Sequence, residues 1–191
     1  IYQALPAQRE NQQLRSIGGL FLIGSLANIA WIFLWHYLLF PLTLVAMLVL
    51  LATLIGIYLR LDIGRSRPPR AERWLVHLPF SIYLGWITVA TIANVTALLS
   101  YLGWNGFGLS DEAWLVIMLA VALVVAVLMA LTRRDVAYLL VLAWAFAGIG
   151  VKHAAAPTVS AAAWVATAIV LILAAYSGIQ MVRRPPLPAA A

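Results

Sequence analysis

The chain has 191 residues, of which 65% are hydrophobic and only 9% are charged. A soluble domain is closer to half apolar and a quarter charged, so the composition excludes a soluble globular protein and indicates an integral membrane protein. The net charge is +6, but the basic residues lie in short connections between apolar runs. This placement argues against nucleic-acid binding and for a role in membrane orientation. The absence of cysteine excludes disulfides and thiolate metal sites.

Apolar runs of about 20 residues cross a bilayer as helices, and the chain contains six of them. They cover about residues 17–37, 41–60, 78–102, 112–132, 135–152 and 158–181. The predicted fold is therefore all-α, a polytopic bundle of six transmembrane helices forming one membrane domain. The opening IYQAL is typical of the last turn of an earlier apolar helix, so we expect a truncated seventh span before Ile1.

Helix-start signals mark several boundaries. Pro41 and Pro79 are predicted in first turns, where a missing N–H costs nothing. Ser110 is predicted to cap the fourth helix, ahead of two acidic residues, and Asp135 to cap the fifth.

Basic residues distinguish the two ends of the predicted bundle. Lys152 stands alone on one side, whereas the other side holds eleven arginines: Arg9, Arg15, Arg60, Arg65, Arg67, Arg70, Arg73, Arg133, Arg134, Arg183 and Arg184. The positive-inside rule then predicts that the 60–77 connection, the 132–135 turn and both termini face the cytoplasm of a bacterial inner membrane. The arginine-rich connection itself is interpreted as a topology signal that attracts anionic lipid, or else as a docking surface for a partner.

Polar and aromatic residues recur at helical spacing on the first and third spans: Ser25, Asn28, Trp31 and Trp35, and then Pro79, Tyr83, Trp86, Ala90 and Asn94. An unpaired amide in hydrocarbon costs about 2–7 kcal/mol, so both asparagines should point toward each other, the backbone or a ligand. Helix–helix contacts would explain the asparagines alone. The aromatic residues, packed with small ones, instead favour a cleft for a planar hydrophobic ligand. Neither stripe holds an ionisable residue of the kind that proton relays use, which argues against a proton relay.

The remaining candidates lie near the predicted span ends. Trp104 and Phe107, in the glycine-containing loop 102–112, are either interfacial residues or a lid over a cavity mouth. His36, His77 and His153 are predicted to be interfacial, and His36, next to the tryptophans, is the first choice for an axial ligand to a tetrapyrrole metal. No protein-held metal site is predicted. No metalloprotease or phosphate-loop motif is found, and an enzyme is not predicted.

Two segments carry a family resemblance. SLANIAWIFLWHY, residues 25–37, resembles the Leu/Ala-x-Asn-x-x-Trp helix of the TspO/MBR family of tryptophan-rich sensory or translocator proteins. LPFSIYLGWITVATIAN, residues 78–94, resembles that family's last helix, with Pro79, Trp86, Ala90 and Asn94 matching and Tyr83 standing for a further aromatic residue. The resemblance covers about residues 1–102. Residues 103–191 are expected to add three transmembrane helices and a short tail that the five-helix members lack.

The resemblance implies a membrane sensor or binding protein for a planar hydrophobic ligand, above all a tetrapyrrole of porphyrin, haem or chlorophyll type. It implies a pocket lined by Asn28, Trp31, Trp86, Ala90 and Asn94, to which the helical stripes add Trp35 and Tyr83, and it implies dimer formation. The alternative is a structural or accessory subunit of a larger membrane complex, with or without bound pigment. A transporter ranks last, because broken helices and ionisable pathway residues are not evident.

Overall fold

The structure, a computed structural model, describes residues 6–8 and 10–183. Over these residues it is helical, with no strand. Its six main helices are α1 (Gln12–His36), α2 (Phe40–Arg60), α3 (Arg70–Tyr101), α4 (Asp111–Thr132), α5 (Val136–Lys152) and α6 (Pro157–Val182). The predicted helical membrane bundle is confirmed. Five helices are long and apolar enough to span a membrane, and α5 is shorter, at 17 residues. The predictions made for Ile1, Arg9, Arg184 and the C-terminal tail concern residues outside the part of the chain that the structure describes.

Side-chain caps fix the helix starts as predicted at two positions. Ser110 Oγ accepts a hydrogen bond from the backbone N–H of Ala113, and Asp135 Oδ1 accepts from the N–H groups of Ala137 and Tyr138. Such caps satisfy donors that have no partner in the first turn. Pro41 lies in the first turn of α2, as predicted.

The third helix extends beyond its predicted start: its regular α-helical part begins at Leu78 with Pro79 in the first turn, as predicted, but further helical residues precede it. α3 begins at Arg70, eight residues before the predicted position 78, so Pro79 lies inside the helix. The helix accommodates it because residues Arg73–His77 form a π-turn, in which the N–H of Leu78 donates to the carbonyl of Arg73 five residues earlier. Proline residues and π-turns are both common causes of kinks in helices.

The helices pack in an order that differs from their order along the chain. α1 packs on α2, α2 on α3, α3 on α5, α5 on α6, and α6 on α4. Small residues allow the close contacts that membrane helices need. At the α3–α5 contact, a side chain added to Gly85 would approach Val141 Cβ to 3.1 Å and the carbonyl oxygen of Tyr138 to 3.2 Å.

The bundle has two chemically different ends. The basic end comprises the connection 61–69, the start of α3, the α4–α5 turn at 133–135 and the end of α6. The opposite end comprises the turns at 37–39, 102–110 and 153–156. The cytoplasmic location of the basic end stays a prediction.

Candidate functional site

The predicted residues of α1 form an aromatic stack near the opposite end. Trp31 and Trp35 stack with ring centroids 5.3 Å apart, and Trp35 meets Phe40 of α2 edge to face at 5.1 Å. The buried indole N–H of Trp31 has no hydrogen-bond acceptor among the described residues, and Asn28 is half-buried. These residues therefore cluster along α1 and the start of α2.

The predicted residues of α3 take other partners. Trp86 contacts Trp144 of α5 at 5.4 Å and remains 47% exposed, while Tyr83 and Ala90 are half-buried. Asn94 is buried, and its amide donates to Thr43 Oγ1 of α2 at 3.0 Å. The two asparagines thus share no hydrogen bond, and within the described chain no ring contact joins the tryptophans of α1 to Trp86.

The remaining predicted residues lie at the opposite end. Trp104, Phe107 and Trp114 pack together, and Trp114 Nε1 donates to the carbonyl of Gly106 at 2.7 Å. Phe107 is 80% exposed and packs against Trp104 and Trp114 at the start of α4. His36 is exposed beside Tyr37. None of the sequence-predicted ligand, lid or axial residues lines either of the two cavities described next.

The larger cavity, about 770 Å³, lies at the basic end between the start of α3, the α4–α5 turn and the end of α6. Its apolar wall comes from these elements: Trp74, Leu78, Val136, Leu140, Met181 and Val182. Its polar wall includes Arg67, Arg73 and Arg134, together with His77, Ser81 and Asp135. We call it the basic-end cavity. A second, shallower groove of about 420 Å³ runs between α1 and α2 and is lined by aliphatic and alanine side chains.

Asp135 forms the polar floor of the basic-end cavity and is only 6% exposed. While its Oδ1 caps α5, its Oδ2 accepts hydrogen bonds from Tyr58 Oη at 2.8 Å and Ser81 Oγ at 2.6 Å. The carboxylate is therefore bonded on both oxygens, as a buried charge requires. This single side chain connects α2, α3 and α5.

The connection 61–69 is held against the α4–α5 turn. Arg133 pairs with Asp62 at 2.8 Å, and its guanidinium lies over the ring of Tyr58, 5.7 Å from the centroid. Arg65 Nε donates to the carbonyl of Thr132 at 3.1 Å. Gly64, at φ +82°, leaves no room for a Cβ, which would overlap the carbonyl of Arg133. These contacts fix the rim of the cavity.

A buried titratable pair lies at the start of α3. His77 Nε2 is 3.5 Å from Glu72 Oε1, and both side chains are less than 10% exposed. Neither atom has a hydrogen-bond partner within the described chain. The expectation that His77 is interfacial was wrong, because the π-turn directs its ring into the bundle. In the part of the chain that the structure describes, no group of three or more His, Asp or Glu side chains could hold a metal ion.

The electrostatics of the cavity favour an anion. Arg67, Arg73 and Arg134 form no ion pair with any described residue, whereas Arg133 is already paired. Guanidinium groups bind carboxylate and phosphate in a bidentate manner, and the apolar wall beside them suits a hydrophobic body. The site can therefore bind an amphipathic molecule that carries acid groups.

Sequence reasoning missed this site because its residues were read one at a time. Asp135 was identified as a cap, which the structure confirms, and the arginines were interpreted as topology signals, which stays a prediction. The available signal was the coincidence of an acid, a histidine and an arginine-rich connection at one end of the bundle. Only the packing of α3 against α5 shows that they line one cavity.

A family comparison adds an independent observation. A family model described as TSPO-like protein matches residues 1–176. The chain belongs to the TSPO-like family. The matched region of this TSPO-like protein continues past residue 102 and includes most of the helices that we expected to be additional. No curated protein and no solved structure matches the chain.

Family membership fixes the general role. This TSPO-like chain is a membrane sensor or binding protein in the broad sense, and the family is generally non-enzymatic. Its exposed apolar helix faces contact the lipid bilayer.

Proposed function

We propose that this TSPO-like protein is a membrane sensor that binds a tetrapyrrole, and that the tetrapyrrole binds in the basic-end cavity. The supporting observation is that apolar walls meet three arginines in one cavity of about 770 Å³, and that these arginines form no ion pair with any residue that the structure describes. Small-molecule sites typically enclose about 300–1,000 Å³ and combine mostly apolar linings with a few polar groups. A tetrapyrrole combines a flat apolar ring with acidic side chains and fits this description.

The lining predicts how such a ligand is oriented. The ring would lie against Trp74, Leu140 and Met181, and the acid groups would pair with the cavity arginines. Both oxygens of Asp135 already accept hydrogen bonds from the protein, so the acid groups of the ligand would lie on the arginine side of the cavity. His36 lies at the far end of α1 from the basic end, so it could not ligate a ring bound in this cavity.

The first prediction concerns the cavity arginines. Protoporphyrin is titrated into detergent-purified protein while tryptophan quenching is measured. Arg73→Ala and Arg134→Ala should each weaken binding about tenfold, since a hydrogen bond to a charged group contributes about 1.5–3 kcal/mol. Arg70→Ala is the matched control, because Arg70 is exposed on the same segment and does not line the cavity. The dimethyl ester of protoporphyrin should bind weakly to all variants alike.

The same titration separates this site from the aromatic stripes. Trp31→Leu combined with Trp86→Leu should leave the affinity unchanged. Here binding is measured by ligand absorbance, because the variant lacks two of the tryptophan fluorophores. If that double variant abolishes binding while the arginine variants bind normally, the ligand lies along the stripes and the proposed location is wrong. If the wild-type protein does not bind protoporphyrin at all, the proposed function fails.

A further inference from the structure

Glu72 and His77 meet across a spacing that an α-helix does not allow. Residues five apart on an α-helix point about 140° away from each other, because each residue turns the helix by about 100°. In this chain the two side chains approach to 3.5 Å, and both are buried. They can do so because the π-turn Arg73–His77 lies between them and its hydrogen bond spans five residues. The contact and the π-turn therefore require each other.

Pro79 makes this π-turn inexpensive. In a regular α-helix the carbonyl of Leu75 would accept a hydrogen bond from the N–H of residue 79. Proline has no N–H, so this bond is missing whether the preceding turn is α or π. The backbone therefore loses little by forming a π-turn here instead of an α-turn, so side-chain contacts can decide which of the two turns forms.

The π-turn supplies part of the cavity wall. Arg73, Trp74 and His77 all belong to it and all line the basic-end cavity, whereas Glu72 does not line the cavity. Converting the turn to α would rotate the segment before it by about 100° relative to the rest of α3. Arg73 and Trp74 would then leave the wall. Charged groups near His77 are Glu72, Arg73 and Asp135, and among these Glu72 alone is in ion-pair range.

We propose that Glu72 is a positioning residue: through His77 it holds the π-turn and so directs Arg73 and Trp74 into the cavity. The inference rests on the proposed function for the ligand that these residues bind. Glu72 itself does not touch the ligand. Its substitution should therefore change ligand affinity through the helix register.

Protoporphyrin binding tests whether Glu72 acts through Arg73. Glu72→Ala should weaken protoporphyrin binding about tenfold, as Arg73→Ala does, and the double variant should bind no more weakly than either single variant, because both remove one contact. Glu72→Gln, which has the same shape and can keep the contact with the imidazole, should retain most of the affinity. Glu112→Ala, an exposed acid in the first turn of α4, is the matched control. Additive losses would overturn the proposal, since a general structural role predicts them.

A ligand-free measurement separates this proposal from the proposed function. The chain has no cysteine, so spin labels can be attached at Arg70→Cys and Val182→Cys and their distance measured. Glu72→Ala should shift the distance distribution and Glu72→Gln should not. Deletion of the exposed Leu75 leaves Arg73 and Leu78 four residues apart, so an α-turn can then make the bond that the π-turn makes. This deletion should keep the wild-type distance, even when it is combined with Glu72→Ala.

The outcomes are distinct. Unchanged distances in Glu72→Ala would overturn the positioning role, whether or not protoporphyrin binds. A shifted distance in Glu72→Ala, together with a wild-type protein that binds no protoporphyrin, would support the register role and refute the proposed function. Equal binding by wild type and Glu72→Ala would also overturn the proposal. If Glu72→Ala does not fold, the spin-label distance in His77→Ala, which removes the same contact, gives the same comparison.

Discussion

Asp135 has two roles at the level of a single carboxylate. One oxygen caps α5 and the other accepts from Tyr58 and Ser81, so three helices meet at one buried group. The cap was predictable from the position of an acid before an apolar run. The second role was not, because Tyr58 and Ser81 are 77 and 54 residues away in the chain.

Asp135→Ala should therefore destabilise the protein more than an ordinary cap substitution. Loss of the cap costs about 0.5–2 kcal/mol, and each stranded buried hydroxyl adds about 1–3 kcal/mol. At the lower end of these ranges, the cap and the two hydroxyls together contribute about 3 kcal/mol. A loss of that size would lower the Tm by roughly 6–12 °C in a chain of this length. Thermal unfolding in detergent measures the change.

Two comparisons make that result specific. Asp111→Ala, at an exposed acid in the first turn of α4, should change the Tm little. Adding Tyr58→Phe and Ser81→Ala to Asp135→Ala should recover part of the loss, because the stranded hydroxyls are then removed. Equal shifts for Asp111→Ala and Asp135→Ala would show that the buried network contributes nothing.

The asparagines and tryptophans show what a residue pattern can and cannot give. The inward position of Asn94 followed from the cost of an unpaired amide, and the structure confirms its burial. Its partner, Thr43, could not be predicted, because the helical period gives a face but not the neighbouring helix. The role of the stripes in ligand binding stays a prediction.

At the level of elements, the connection 61–69 is part of the folded structure rather than a simple topology signal. Asp62, Gly64 and Arg65 each contact the end of α4 or the α4–α5 turn. This docking closes one side of the basic-end cavity. A glycine is needed at position 64 because its φ is positive and the carbonyl of Arg133 lies against it.

Gly64→Ala should test the docking of this connection. Gly103 is the matched control: its φ is also positive, but an added Cβ would meet nothing within 4 Å. Gly103→Ala should cost about 1–2 kcal/mol from the left-handed backbone alone, and Gly64→Ala should lower the Tm further and weaken protoporphyrin binding. If both variants unfold at the same temperature, the close approach at Gly64 has no energetic consequence.

The start of α3 is the element that sequence reasoning placed least well. Proline normally indicates a first turn, and the arginine-rich segment before Pro79 looked like a loop. The π-turn allows the helix to continue through this proline. A local rule was thus overridden by a rare helix geometry.

For the whole molecule, the order α1–α2–α3–α5–α6–α4 brings α3 and α5 together at the centre. This order creates the basic-end cavity from segments distant in the chain. It also leaves α1 with a largely exposed apolar surface. Dimer formation and membership of a larger complex stay predictions.

Orientation can be tested on the whole molecule with single cysteines at two exposed positions, Arg67 and Gly103, because the wild-type chain has none. A membrane-impermeant maleimide added to spheroplasts should label Gly103→Cys directly and Arg67→Cys only after permeabilisation. The reason is that positively charged connections are retained in the cytoplasm. The reverse labelling pattern would show that the basic end faces outward.

The sequence by itself determined the membrane class, six helices, most of their boundaries, the two capping residues and a family resemblance. These properties depend on local composition and periodicity, which each segment carries independently of the others. Tertiary structure decided which helices pack together, where the cavity lies, and that Glu72, His77 and Asp135 are buried close to the arginines of that cavity. The physical reason is that in a uniformly apolar bundle many helix orders bury similar surface, so close packing at small residues and a few long-range hydrogen bonds select one.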